Sequence, residues 1–496
     1  MTNINLPPLI QAMLEPGFYP HPVQDPIQLI QTHVSYIFLT GDYAYKMKKP
    51  VNFGFLNYGT LALREHFCQE ELRLNQRGAK PLYIEVLTIQ SGNGFKFGDE
   101  GEIVEYVLKM RQFPQENLFS SQFEQGKLTE EDLEKLGKIV ADFHSESYTD
   151  DYILSFGEIP KIRQAIDENY AQTDKYVGIV QSPEQFAATK EYTDNFFEGR
   201  KNIFASRVEK KLIRECHGDL HLRNICIYQD EILLFDCIEF NEPFRFVDVM
   251  YDIAFAVMDI EARGRKDLAN AFLNTYIEET GDWEGLQVLP LYLSRQAYVR
   301  AKVTSFLLDD PNISETDKKE AGKTASDYYT LAYKYTQIKQ GKITLMSGLS
   351  GSGKSTTAKK IARETSAIHI RSDAVRKHLA GIKLTEKGSN EVYSAEMTEK
   401  TYNRLLELGI MLAKQGFSVI LDAKYDRRNL REKVIKTADA ENIPLEIVYC
   451  HVSEEILRDR LNKRTGDIAD ATADLITSQL ANWEDFTEEE KQLLVK

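Results

Sequence analysis

The chain has 496 residues, 42% of them hydrophobic and 28% charged, a composition typical of a folded protein that is too long for one core. Its 76 acidic and 61 basic residues give a formal net charge of −15, which argues against binding of the whole protein to nucleic acid or an anionic membrane. The five cysteines lack disulfide-framework or zinc-ligand spacing and predict reduced core thiols. No secretory signal or membrane span is recognised, so we expect a cytoplasmic protein.

The balance of acidic and basic residues changes near residue 342. Residues 343–496 carry 24 basic and 24 acidic residues, so residues 1–342 hold the whole acidic excess. A polar, proline-containing loop and a tyrosine-rich segment that predicts a helix ending at Gly341 lie at the same place. We therefore predict two domains, residues 1–341 and residues 342–496.

The first domain is predicted to be α+β, with a small β-rich part followed by a larger helical part. In chain order its early elements are strands 35–39 and 43–48, a helix at 60–76 and a strand at 102–110. Helical patterns dominate from residue 130 and are interrupted by a hairpin with strands 225–228 and 232–235 around a turn at 229–231. This hairpin returns Asp236 to the end where Asn224 lies.

Asp219, Asn224 and Asp236 surround this hairpin, and their chemistry suits phosphoryl transfer. Such a reaction needs an Asp that orients or deprotonates the acceptor, an Asn and a second Asp that hold Mg²⁺, and a Lys on the phosphates. Lys46 and Lys48 lie on one face of strand 43–48. We choose Lys46 for the phosphates and expect Glu71 or Glu70 of the next helix as its partner.

The motif His217-Gly218-Asp219-Leu220-His221-x-x-Asn224, with Asp236 after an apolar strand, resembles the aminoglycoside phosphotransferase-like kinases, a branch of the protein-kinase fold. The resemblance spans residues 30–335. It implies that Asp219 is the catalytic base, that Asn224 and Asp236 are metal ligands and that Lys46 binds phosphate. Cys237-Ile238 replaces Phe-Gly after the metal Asp and no GxGxxG loop is present, which excludes an ordinary protein kinase. The alternative is a loop with a buried His and a solvated Asp.

Two further features of this domain bear on its site. Asp248 and Asp252 are four residues apart on a predicted helix, where they could brace the catalytic loop. The acceptor pocket is expected from residues 142–309, whose acidic excess suits a cationic or polyhydroxyl acceptor. Solvated helix faces explain the same charges equally well.

The second domain alternates strands and helices, which predicts an α/β fold with a parallel sheet. The predicted order is strand 343–347, helix 354–364, strand 367–371, helix 395–415, strand 417–422, helix 428–440 and strand 444–450. The first strand leads into Gly348-x-x-x-x-Gly353-Lys354-Ser355, a P-loop or Walker A sequence. Its backbone N–H groups would face phosphate, Lys354 would reach the β- and γ-phosphates, and the Ser355 hydroxyl would bind Mg²⁺. Gly351 and Thr356 complete the predicted nucleotide-binding set.

Charged residues after the later strands predict the rest of this site. Asp373 stands where a substrate-facing base would lie, with Arg371 and Arg376 nearby for an anionic group, and Asp422 ends a strand as a second Mg²⁺-organising carboxylate would. Arg460 and Arg464 share one helix face, which suits a lid over the transferring phosphoryl group. The alternative for these arginines is a solvated face paired to Glu454, Glu455 and Asp459.

The segments GLSGSGKST, RSDAVRKHL, VILDAKYDRR and RDRLNKRTGD resemble small P-loop kinases of the gluconate kinase-like, zeta toxin-like and polynucleotide kinase-like groups. The resemblance covers residues 342–480 and implies that Asp373 is the base, that Lys354 and Ser355 bind nucleotide and metal, and that Arg460 and Arg464 form the lid. The whole chain resembles a fused bacterial family with an aminoglycoside phosphotransferase-like domain followed by a P-loop kinase domain.

The leading hypothesis is an ATP- and Mg²⁺-dependent bifunctional phosphotransferase that acts on hydroxyl groups of small molecules. Nucleic-acid end repair or RNA modification by the P-loop domain is a second hypothesis, because residues 343–480 hold 22 basic and 19 acidic residues. It lacks the aromatic-interleaved basic stretch that single-stranded nucleic acid favours. A third hypothesis makes one domain a nucleotide-gated regulator of the other.

Overall fold

The computed structural model of the protein describes residues 6–92, 94–98, 101–463 and 468–495. The strands are β1 (Gln28–Gln31), β2 (Ser35–Leu39), β3 (Tyr43–Lys48), β4 (Tyr83–Gly92), β5 (Gly94–Phe97), β6 (Glu102–Arg111), β7 (Ile213–Glu215), β8 (Ile225–Tyr228), β9 (Glu231–Leu234), β10 (Phe246–Asp248), β11 (Lys342–Ser347), β12 (Ile368–Arg371), β13 (Ser418–Asp422) and β14 (Leu445–Tyr449).

The α-helices are α1 (Pro8–Ala12), α2 (Leu61–Asn75), α3 (Phe119–Glu124), α4 (Glu130–Glu146), α5 (Asp151–Leu154), α6 (Ile159–Thr173), α7 (Pro183–Gly199), α8 (Lys201–Glu209), α9 (Glu242–Arg245), α10 (Val249–Ala262), α11 (Lys266–Thr280), α12 (Leu289–Phe306), α13 (Glu315–Thr336), α14 (Lys354–Thr365), α15 (Ser372–Ala380), α16 (Ala395–Lys414), α17 (Arg428–Ala440), α18 (Glu454–Lys463), α19 (Ile476–Ala481) and α20 (Glu488–Gln492).

The chain divides into two compact units. The first comprises residues 1–128, 143–158 and 207–256, and the second comprises residues 129–142, 159–206 and 257–496. The helical segments before residue 342 are thus shared between the units, and the second unit contains helices from both sides of the boundary expected at residue 341. That boundary stays a proposal about the chain's domains.

An antiparallel sheet with the order β1-β2-β3-β6-β4-β5 forms the β-rich part of the first unit. Strand β3 lies between β2 and β6, so that Lys46 faces Ile37 on one side and Leu108 on the other. Phe38, Tyr45, Met47 and Val107 are buried on this sheet, while Lys46 and Lys48 are two residues apart and project from one face. Helix α2 follows, and the hydroxyl of its N-cap residue Thr60 accepts a hydrogen bond from the backbone N–H of Leu63.

Strands β8 and β9 pair as the expected hairpin in the first unit, with Ile225 opposite Leu234. The turn is one residue shorter than predicted, because Glu231 already belongs to the second strand. Gln229 and Asp230 both have positive φ, 52° and 64°, which is the conformation of a two-residue type I′ turn. This turn type matches the twist of the flanking strands more closely than the predicted three-residue loop would.

Helices dominate the part of the second unit that precedes residue 342. Helices α12 and α13 pack on each other through the rings of Tyr298 and Tyr329, whose centroids are 5.1 Å apart. The Tyr298 hydroxyl is also 2.8 Å from the Thr173 hydroxyl of α6. Helix α13 is the predicted tyrosine-rich helix, and it begins after Ser314, whose hydroxyl accepts from the N–H of Asp317.

The C-terminal part of the second unit is built on a parallel sheet with the order β12-β13-β11-β14. The two central strands are buried along nearly their whole length, as expected when helices cover both faces of a parallel sheet. Helix α15 was missing from the prediction, since the stretch after Arg371 was interpreted only as a site segment. The predicted fold class is confirmed: an α+β, kinase-like region with an antiparallel sheet precedes an α/β P-loop region with a parallel sheet. None of the described helices combines the length and the hydrophobicity that a membrane-spanning segment requires.

Candidate active sites

A buried cluster of charges on β3 and α2 marks the first site. The Lys46 ammonium is 2.7 Å from Glu71 Oε1 and 2.7 Å from Asp236 Oδ1. Glu70, the alternative partner, instead pairs with Arg73 at 2.8 Å. Burial alone would raise the pKa of Glu71, but the charges of Lys46 and Lys48 outweigh this effect and lower the pKa to about 2. Glu71 therefore stays ionised and fixes both lysines.

The loop that carries Asp219 is held next to the β8–β9 hairpin. Asn224 donates a hydrogen bond from Nδ2 to Asp219 Oδ2 at 2.9 Å and another to the Asp219 carbonyl at 3.0 Å. The N–H of Phe235 donates to the Asn224 carbonyl at 3.0 Å, which brings Asp236 to the end of the hairpin where Asn224 lies. Asp236 has φ 63°, a left-handed conformation that Asp tolerates. The three predicted acidic and amide side chains thus gather around one end of the hairpin.

The carboxylate of Asp252 on α10 stabilises the loop that carries Asp219. This carboxylate accepts hydrogen bonds from the backbone N–H of Gly218 at 2.8 Å and of His217 at 3.1 Å, and it contacts His144 Nε2 at 3.0 Å. Gly218 has φ +84°, and a Cβ there would lie 2.8 Å from the Phe244 carbonyl, so no larger residue fits. Asp248 differs from the prediction because it ends β10 before the helix begins, where it pairs with Arg207 and accepts from the N–H of Met250.

A second lysine of β3, Lys48, is buried beside Lys46 and is missing from the predicted site. The Lys48 ammonium is 2.6 Å from Glu71 Oε2 and also bonds Glu239, whose carboxylate accepts from the Tyr58 hydroxyl. Lys48 and Glu71 each expose only 1% of their side chains. The signals available in the sequence were the i, i+2 spacing of the lysines and a Glu three residues after Asp236. Lys48 therefore links the α2 glutamate to the segment after Asp236.

We expect Lys48→Met to destabilise the protein strongly, because it leaves the Glu239 carboxylate buried without a counter-charge and leaves Glu71 with Lys46 alone. The expected loss in free energy of unfolding is about 3–5 kcal/mol, measured by urea denaturation. Lys49→Met is the matched control, since the adjacent Lys49 is more exposed, and its ammonium donates to the Thr32 carbonyl and lies over the Tyr36 ring without bonding a buried carboxylate among the described residues. Its loss should stay below about 1 kcal/mol. Equal losses in the two variants would contradict a stabilising role of the buried lysine.

The P-loop, Gly348–Ser355, connects β11 to α14 and defines the second site. Gly348 has φ +143°, and a Cβ on it would lie 2.3 Å from the Cys450 carbonyl, so that only glycine fits there. The N–H of Gly348 donates to the Lys424 carbonyl at 2.9 Å. Gly353, at φ 93°, is the N-cap of α14. The loop thereby presents the free N–H groups at the start of a twelve-residue helix, which is an anion-binding arrangement.

Polar groups in the P-loop fit an anionic ligand. The Ser352 hydroxyl is buried and has no hydrogen-bond partner among the residues that the structure describes. Lys354 donates from Nζ to the Leu349 carbonyl at 2.8 Å, and burial lowers its pKa from the ordinary lysine value. A phosphate group would satisfy both the unpartnered hydroxyl and the buried ammonium.

Asp422 faces the start of α14 from the end of β13. His369 Nε2 lies 3.0 Å from Asp422 Oδ2. Burial would raise the pKa of Asp422, but the hydrogen bond and charge of His369, with further contributions from Lys354 and Ser355, outweigh burial and lower the pKa to about 2. An ionised carboxylate beside a serine hydroxyl could hold Mg²⁺, a cation that prefers oxygen ligands. His369 was missed in the sequence, although a polar residue in the apolar strand AIHIR is an available signal.

A cavity of about 1540 Å³ joins the predicted residues of this site. Its lining includes the predicted residues Gly351, Gly353, Lys354, Ser355, Thr356, Asp373, Asp422 and Arg460. This volume exceeds the roughly 300–1,000 Å³ of a typical ligand pocket. The cavity therefore has room for a nucleotide and a second small molecule.

The two arginines expected near Asp373 differ in position. Arg376 lines the cavity, donates to the Val392 carbonyl at 3.0 Å and lies over the Tyr393 ring at 5.3 Å. Arg371 instead pairs with Glu278 at 3.3 Å and is not part of the cavity lining. Of these two arginines, Arg376 is the one placed to contact a molecule bound beside Asp373.

Helix α18 carries the expected lid residues. Arg460 donates from Nη1 to the Gly351 carbonyl at 3.3 Å and lines the cavity. Other basic residues of α18 form ion pairs with the nearby acidic residues: Arg458 pairs with Glu454, and Lys463 pairs with Asp459. Arg464, the second predicted lid residue, lies outside the described residues.

The P-loop region and the whole chain each resemble known proteins. Residues 343–488 match the family model described as AAA domain. Over 473 residues the chain is 29% identical to the Mycobacterium tuberculosis H37Rv protein named "Uncharacterized protein Rv2004c", covering 94% of this chain and 92% of that one.

Solved structures resemble separate parts of the chain. A gluconokinase from Sinorhizobium meliloti 1021 is 26% identical and covers 32% of this chain and 82% of its own, with a TM-score of 0.23. The amicoumacin kinase hAmiN, in complex with AMP-PNP, Ca²⁺ and Ami, is 12% identical and covers 65% of this chain and 92% of its own, with a TM-score of 0.41.

Proposed function

We propose that the protein is an ATP-dependent phosphotransferase with two active sites, each of which transfers the γ-phosphoryl group to a hydroxyl of a small molecule. The observation that carries the proposal is that each site brings together a lysine, two carboxylates and an amide or hydroxyl oxygen, the groups that phosphate, an acceptor hydroxyl and Mg²⁺ would need. The first set is Lys46, Asp219, Asn224 and Asp236. The second set is Lys354, Asp373, Ser355 and Asp422.

At the first site, Asp219 is the proposed catalytic base. Its carboxylate is partly exposed, and the bond from Asn224 Nδ2 orients it. Lys46 is the proposed phosphate ligand, held in place by Glu71. Asn224 and Asp236 would hold Mg²⁺, which when bound neutralises charge on the phosphates.

At the second site, the P-loop N–H groups and Lys354 are the proposed phosphate ligands. Asp373, in the first turn of α15, is the proposed base for the acceptor hydroxyl. Arg376 and Tyr393 line the same cavity and would orient the acceptor. Ser355 and Asp422 would hold Mg²⁺, which supplies charge neutralisation there as well.

The proposal is tested by measuring ADP formation. Purified protein with Mg·ATP is incubated with a small-molecule fraction of a bacterial extract, and ADP is measured against a reaction without the extract. We expect ADP formation that depends on the extract and is lost when Asp219 and Asp373 are both replaced by Asn. Extract-dependent ADP formation that survives in this double variant would contradict the proposed sites.

Arg460 is expected to act on the transferring phosphoryl group, because its guanidinium already reaches the P-loop carbonyl of Gly351. Arg460→Ala should lower kcat at the second site by about tenfold or more without lowering the melting temperature. Arg458→Ala is the matched control on the same helix, because Arg458 bonds Glu454, Thr477 and the Ala473 carbonyl instead. A larger loss of kcat in the control than in Arg460→Ala would contradict this role.

A further inference from the structure

The parallel sheet of the second unit has an edge strand, β12, that is covered by side chains of helix α11. Asn274 accepts a hydrogen bond at Oδ1 from the backbone N–H of His369 at 2.8 Å. The same side chain donates from Nδ2 to the Ala367 carbonyl at 3.0 Å. Asn274 thus bonds to the edge of the sheet with the pattern of an additional peptide group.

The asparagine is itself fixed by a buried polar network. Asn270, one turn earlier on α11, also donates to the Ala367 carbonyl, at 2.9 Å, and accepts from Asn274 Nδ2 at 3.0 Å. Arg363 of α14 donates to Asn270 Oδ1 at 2.8 Å and pairs with Glu134 of α4 at 2.9 Å. Both asparagines are more than nine-tenths buried. Buried hydrogen-bond networks of this kind restrict the geometry of their members.

His369, whose backbone N–H donates to Asn274, also contacts the carboxylate of Asp422. His369 uses its backbone N–H toward Asn274 and its ring Nε2 toward Asp422 Oδ2, at 3.0 Å. The ring and the carboxylate are buried, with 9% and 3% of their side chains exposed. A carboxylate oxygen can only accept, so the ring Nε2–H is the donor in this bond. His369 therefore occupies one carboxylate oxygen and sets the direction of the other.

We propose that His369 is a positioning residue for Asp422 in the P-loop site, and that helix α11, which lies outside residues 342–496, completes this support through Asn274. The inference rests on the proposed function of the second site. It assigns to α11 a role in nucleotide and metal binding that the motifs of the P-loop segment do not reveal. Loss of such a supporting partner typically weakens metal affinity by about 10–100-fold.

The test is calorimetry of ATP binding to the full chain at increasing Mg²⁺ concentrations. The binding heat that is lost in Lys354→Ala is assigned to the P-loop site. His369→Ala should raise the Mg²⁺ concentration at half-saturation by about tenfold. ATP binding in EDTA should change less than twofold. His369→Asn, whose amide can still donate to Asp422, should restore most of the loss.

Two asparagine variants separate positioning from general loss of packing. Asn274→Ala removes the acceptor for the His369 N–H, whereas Asn270→Ala removes only a bond to Ala367 and its contacts with Asn274 and Arg363. We expect the larger Mg²⁺ effect from Asn274→Ala at matched melting temperatures. A half-saturation concentration within twofold of wild type in His369→Ala would overturn the inference while leaving the site's function intact. Absence of any Lys354-dependent ATP binding in the wild type would instead overturn the proposed function itself.

Discussion

Asp219→Asn is expected to lower kcat for transfer at the first site by roughly 10²–10⁴-fold while leaving ATP affinity and the melting temperature nearly unchanged. The asparagine keeps an oxygen that can accept the hydrogen bond from Asn224 Nδ2, so the loop geometry should persist. It cannot take a proton from the acceptor hydroxyl. The measurement is the rate of phosphorylated-product formation at saturating ATP and acceptor, with a thermal melt of each variant.

Asp230→Asn is the matched control for this change. Asp230 lies in the turn of the same β8–β9 hairpin, is exposed, and has the positive φ that Asn adopts readily. Its kcat should stay within twofold of the wild-type value. If Asp219→Asn and Asp230→Asn lower kcat equally, Asp219 is not the catalytic base, and both changes act through the structure of the hairpin.

Lys354→Ala is expected to abolish detectable ATP binding at the second site and to lower its kcat by about 10²–10³-fold. The lysine is buried at the P-loop, where no other described ammonium lies on the loop itself. The alanine removes a charge that would stabilise the phosphates in a low-dielectric site, so the effect should exceed that of any exposed lysine. Binding is measured by calorimetry and kcat by product formation.

Lys360→Ala provides the control on the same helix. Lys360 exposes 76% of its side chain and contacts only Glu364 among its recorded ion pairs, at 3.9 Å. Its ATP affinity should match that of the wild type, because exposed pairs contribute little. Unchanged ATP affinity and product formation in Lys354→Ala, with the full chain folded, would contradict the assignment of the P-loop as a nucleotide site.

The sequence predicts most of the P-loop region because its signals are local. The hydrophobic patterns of strands and helices alternate there, and a single loop of eight residues contains the groups predicted to bind phosphate. The residues of this site lie at or after the ends of individual strands: Lys354, Ser355, Asp373 and Asp422. Parallel strands bring their carboxyl ends to one edge of the sheet. The cavity that joins these residues therefore follows from the order of the elements.

Long-range partners were harder to predict. Lys48 and Glu239 are 191 residues apart in the chain, and a single sequence contains no signal for their pairing. The bond between Asn274 and His369 joins residues 95 apart, across the boundary expected at residue 341. The prediction placed both Arg371 and Arg376 near Asp373, but α15 begins at Ser372 and the two side chains reach different partners. These features depend on packing between elements, which the local pattern does not specify.

The proposed function requires two phosphoryl-transfer sites in one chain. Its most direct test is incubation with ATP labelled at the γ-phosphate and a bacterial small-molecule fraction, followed by separation of the labelled products by chromatography. We expect two sets of labelled acceptors from the wild type, of which Asp219→Asn loses one and Asp373→Asn loses the other. The same labelled products from the wild type and both variants, or label found only in inorganic phosphate, would contradict the claim.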